Sequence, residues 1–77
     1  MDFSGEIVYV EKTLAQVNVT IKFISETEQI VKTFTFQRSE DLETENFNVF
    51  LAQQIQNLND LYNNADSLIE RVGDFFE

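Results

Sequence analysis

Two kinds of periodicity divide the chain. Residues 16–24, QVNVTIKFI, alternate: Val17, Val19, Ile21 and Phe23 point one way, and Asn18, Thr20 and Lys22 point the other. Residues 29–37, QIVKTFTFQ, alternate again, with Ile30, Phe34 and Phe36 sharing a face with Lys32. A lysine on an apolar face belongs near a sheet edge, where its stem lies flat and its ammonium reaches water. Residues 6–11, EIVYVE, are β-branched and aromatic and predict another strand. The links Lys12–Ala15 and Ser25–Glu28 are short and lack glycine, which leaves their turn types open. Three strands with short links predict an antiparallel meander with one apolar face to be covered.

From Phe47 the period becomes helical. Leu51, Ile55, Leu58, Tyr62, Ala65, Ile69, Val72 and Phe76 follow one another at alternating steps of four and three residues. Phe47, Leu61, Leu68 and Phe75 form a flanking row, while Val49 and Phe50 lie off the main stripe. Ser39 and Thr44 are candidate N-caps, and Gly73 is placed to end the helix. The fold expected is α+β: a three-stranded antiparallel β-meander (6–37), an acidic approach (39–45), and one long C-terminal helix (46–73) packed on the sheet's apolar face. Residues 74–77 form a tail, and the whole is a single domain.

Lengths do not match. A helix over 47–72 measures about 39 Å at 1.5 Å per residue, and a nine-residue strand spans only about 30 Å. The last helical turns, with Leu68, Ile69 and Val72 and then Phe75 and Phe76, run past the sheet. Either the helix breaks at Asn63-Asn64 and folds back, or it stays straight and pairs its overhang with another chain. The heptad spacing favours the second. Val49, Phe50, Leu61, Leu68, Ile69, Val72, Phe75 and Phe76 are the expected protein-interface residues.

Charge narrows the partners. The net charge is −9: residues 1–38 hold five acids against four bases, and residues 39–77 hold nine acids against Arg71 alone. Such a surface repels phosphate backbones, so direct nucleic-acid binding is not expected. No run approaches the roughly 18 apolar residues of a membrane span, and MDFSGEIVYV does not read as a secretory signal. Asn18-Val19-Thr20 fits a glycosylation sequon but falls within a predicted strand.

Candidate chemistry is sparse. Histidine and cysteine are absent, which removes the commonest general base, the commonest metal ligand and any thiolate. Glu40-Asp41-Leu42-Glu43-Thr44-Glu45 lacks the glycine and ligand spacing of a calcium loop, and reads as acid placed where a helix macrodipole favours it. The Asn/Asp-rich stretch 57–66 reads as a solvated face or as a ladder for a partner. Lys12, Lys22 and Lys32 have no apolar context that would activate them, and Arg71 suits the negative end of the helix. No catalytic, cofactor-binding or metal-binding residues are expected, and the chain is not expected to be an enzyme.

The segments IVYV, QVNVTIKFI, IVKTFTF and FNVFLAQQIQNLNDLYNNADSLIERVG, with K-T-F-x-F in the third strand and L-N-x-L at Leu58-Asn59-Asp60-Leu61, resemble small accessory proteins encoded near the tail genes of tailed bacteriophages. The likeness is one of pattern, covers nearly the whole chain and brings no site residues with it. It implies a non-enzymatic structural or assembly-helper protein of the virion tail, homo-oligomeric through its C-terminal helix. Such a protein would meet other tail proteins in the host cytoplasm during assembly or in the virion. The acidic stretch Glu40–Glu45 and the Phe-Phe ending depart from the pattern. The alternative is a small acidic inhibitor of a host nucleic-acid-binding enzyme, acting by charge mimicry through Glu40, Asp41, Glu43, Glu45, Asp60 and Asp66.

Overall fold

Alternation along the chain becomes a three-stranded antiparallel sheet. In the computed structural model, which describes residues 2–73, strand β1 runs Ser4–Lys12, β2 Val17–Ile24 and β3 Gln29–Phe36, in the order β1-β2-β3. A single 3-10 turn, Ser39–Leu42, leads into one helix, α1, over Thr44–Ile69. The α+β meander-and-helix architecture is as the sequence predicts. β1 is longer at both ends than the expected 6–11, and α1 starts two residues earlier than expected and ends at Ile69.

The two glycine-free turns use the same device. Thr13 N–H donates to the Gln16 carbonyl at 2.9 Å, and Thr13 Oγ1 accepts from Gln16 N–H at 3.2 Å. Ser25 N–H donates to the Glu28 carbonyl at 2.9 Å, and Ser25 Oγ accepts from Glu28 N–H at 3.0 Å. A hydroxyl at the first position closes each loop, so no residue needs the left-handed backbone that would call for glycine.

Strand pairing sets the faces. Val17, Val19, Ile21 and Phe23 pair with Phe36, Phe34, Lys32 and Ile30, so Lys32 does lie on the apolar face, at the exposed β3 edge. On the other side β1 carries a bulge: Ile7 pairs with Ile21, but Tyr9 pairs with Thr20 and Val10 with Val19. The extra residue shifts the alternation and brings Val10 onto the same face as Ile7. The opposite, uncovered face holds a polar row, with Asn18 Nδ2 donating to Glu11 and Thr35 Oγ1 donating to Asn18 Oδ1.

α1 crosses the apolar face obliquely. At its start Phe47 and Phe50 meet Phe36 of β3 at centroid distances of 5.9 and 5.1 Å, and Phe50 meets Phe34 at 5.0 Å. One to two turns later the helix lies over β1. A Cβ at Gly5 would sit 3.0 Å from Leu51 Cδ1 and 3.6 Å from Ile55 Cδ1, so glycine lets the helix come down there. Leu58 completes the buried core with Phe3, Val19, Ile21 and Phe23. Phe3 stacks edge-on against Tyr62 at 5.1 Å and is the last sheet-side anchor under the helix.

The expected caps are corrected. Glu43, not Thr44, is the N-cap of α1, and Arg38, not Ser39, precedes the 3-10 turn; neither makes a side-chain capping bond. Leu42 packs against the core, and that anchor fixes where the helix begins. The chain leaves α1 through tightened turns, Arg71 N–H to the Leu68 carbonyl and Val72 N–H to the Ile69 carbonyl. Gly73 follows with φ 99°, a left-handed value that glycine takes without penalty, four residues beyond the last helical residue.

Candidate interaction surface

α1 is continuous through Asn63-Asn64, so it does not fold back there. Tyr62 is the last residue it shares with the sheet; every residue from Asn63 to Gly73 is exposed. Leu61, Leu68, Ile69 and Val72 are 62, 63, 67 and 82% exposed. At about 100° per residue, Leu61, Leu68 and Ile69 fall within an arc of roughly 100°, continuing the stripe that Leu51 and Leu58 bury further back. The overhang of seven helical residues, 63–69, measures about 10 Å.

Of the expected interface residues, Val49 lies exposed on the helix, and Phe75 and Phe76 fall outside the described residues. Phe50 is half-buried in an aromatic cluster with Phe34, Phe36 and Phe47 of its own chain. The large rings of β3 reach around the helix to a position that the stripe alone leaves outside.

A second apolar surface has no counterpart in the sequence reading. Because α1 starts over β3, it leaves the far end of β1 uncovered. Ile7 and Val10 are 49 and 51% exposed there. With Val17, Val19, Leu42 and Phe47 they line an open groove of about 250 Å³. Lys12 pairs with Val17 and so lies on this same face, beside the groove.

The acids do not gather. Glu40, Glu43 and Glu45 lie exposed around the start of α1, Glu40 paired with Arg38. Asp60 accepts from Gln56 Nε2 one turn away, and Asp66 is exposed on the overhang. Among the described residues no three acidic side chains are placed to hold a metal ion, and no buried side-chain polar atom lacks a partner. Asn59, expected on a solvated or partner-facing ladder, is half-buried and accepts the Phe3 amide at 2.8 Å. No helix among the described residues is long and apolar enough to cross a membrane.

No protein-family model, no curated protein and no solved structure matches the chain.

Proposed function

We propose that the chain is a non-enzymatic structural or assembly-helper subunit that self-associates through the end of α1. One observation carries this reading: an unbroken helix continues past its sheet with Leu68, Ile69 and Val72 in water. Each large apolar side chain left wet forgoes about 1.5–3 kcal/mol of burial. With five buried apolar residues among those described, the domain has little stability in reserve for such a loss. Association between copies recovers it. The resemblance to proteins encoded near phage tail genes supplies the setting, the building of a virion tail, with other tail proteins as further partners.

Sedimentation equilibrium of the wild type and of Leu68→Glu/Ile69→Glu tests the reading. The wild type is expected to associate at micromolar concentration and the double variant to remain a folded monomer. Equal masses for the two, with unchanged helix content, remove the overhang as the contact.

A further inference from the structure

Self-association through the end of α1 sets like charges side by side. Over residues 57–73 the chain holds three acids, Asp60, Asp66 and Glu70, against one base, Arg71, a net −2. The helix C-terminus adds roughly half a negative charge. We infer that this end of α1 is a docking surface for a basic amphipathic helix of another protein, which displaces the second copy; the inference rests on the overhang being the contact surface proposed above and names the partner that competes for it.

The acids stand on both flanks of the apolar arc formed by Leu61, Leu68 and Ile69. At about 100° per residue, Asp60 lies roughly 80° to one side of Leu68, and Asp66 lies roughly 60° beyond Ile69 on the other. Glu70 stands at the C-cap, where its charge joins that of the helix end. Every residue from Asn63 to Gly73 is exposed, so an incoming helix meets no strand there. The complement of an apolar stripe with anionic borders is an apolar stripe bordered by lysine or arginine. Their stems cover apolar surface while their heads meet the acids. A second copy matches the stripe and repeats the acidic borders, on a chain of net charge −9. Nucleic acid brings phosphates, which the same acids repel. No other exposed apolar site combines these features. Tyr9 stands opposite Thr20, and Val31 opposite the basic Lys22, on the polar face of the sheet. At the start of α1 the charges are mixed: Arg38 pairs with Glu40, Lys12 lies beside the groove, and the helix N-terminus is positive. The negative charge is undiluted by these at the far end of the helix alone.

Two synthetic amphipathic helices of about 18 residues, long enough to be helical, test the inference: one has a leucine face bordered by lysines, the other carries glutamate at each lysine position. Peptide fluorescence anisotropy reads binding, and sedimentation reads the mass of the 9.0 kDa chain. The lysine peptide is expected to bind the full chain and to replace its self-association by a complex of one chain with one peptide; the glutamate peptide is not expected to bind. Binding of the lysine peptide should weaken roughly tenfold or more as salt rises from about 0.01 to 1 M, while self-association strengthens. Asp66→Asn/Glu70→Gln should shift the two contacts in opposite directions, weaker for the lysine peptide and tighter between copies. Leu68→Glu/Ile69→Glu separates a docking surface from mere attraction of opposite charges. It adds acid and removes the stripe, so the inference predicts at least a tenfold loss of lysine-peptide binding. Equal or tighter binding by this variant overturns the inference, as does equal binding of the two peptides. A wild type that associates but is not displaced by the lysine peptide also overturns it and leaves the self-association standing. A wild type that stays monomeric and binds the lysine peptide through Leu68 and Ile69 removes the self-association and supports the docking surface.

Discussion

The backbone amide of Phe3 donates to Asn59 Oδ1 at 2.8 Å, across 56 residues of sequence. This bond ties the start of β1 to the middle of α1, beside the buried Phe3 and Leu58 side chains. An amide left without a partner in such a place costs about 1–3 kcal/mol. Asn59→Leu is therefore expected to lower the urea unfolding free energy by that amount. Asn59→Asp, which keeps an acceptor in place, should lose less. Equal losses for the two would show that packing, and not the bond, holds Phe3.

At Gly5 the helix side chains Leu51 and Ile55 come down onto β1. Gly5→Val places branched carbons against Leu51, Ile55 and Phe23, and overpacking of this kind costs about 1–3 kcal/mol. Combining it with Leu51→Ala is expected to return part of the loss, because the nearest clashing group is then gone. Additive losses in a double-mutant cycle would place the strain elsewhere.

Phe50 and Val49 are neighbours in sequence with opposite surroundings. Phe50 makes edge-on contacts with Phe34 and Phe36, while Val49 is exposed. Phe50→Ala should destabilise the monomer by roughly 3 kcal/mol, the low end for a phenylalanine because the ring is only half-buried. Val49→Ala should stay within about 0.5 kcal/mol. Thermal melts of the two variants at one protein concentration make the comparison.

Much of this fold was legible from the chain. β2 and β3 announce themselves because each has one wet and one dry face, and the length of the apolar helical stripe against the short sheet already implies an overhang. β1 was legible as a strand but not in its phase: IVYV is apolar on both parities, so the bulge that turns Val10 inward leaves no trace in the pattern. Phe3 escaped notice because Ser4-Gly5 separates it from the apolar run. Asn59 reads as one more solvent-facing amide until the β1 backbone is seen above it. The groove depends on the angle at which α1 crosses the sheet, which no local pattern encodes.

Salt should strengthen self-association. Each copy carries −9, and the contact proposed is mainly apolar, so repulsion between copies opposes it. Raising ionic strength from about 0.01 to 1 M shortens the screening length from roughly 30 to 3 Å. The dissociation constant from sedimentation is expected to fall over that range. A complex that salt instead dissolves would point to charge-led recognition of a basic partner through the acids of the second half.

The most direct test of the account is the mass of the unmodified protein in solution, by light scattering behind a sizing column at tens of micromolar. A mass at a multiple of 9.0 kDa that falls to the monomer on Leu68→Glu/Ile69→Glu is the result predicted. A wild type at 9.0 kDa across the whole concentration range contradicts it.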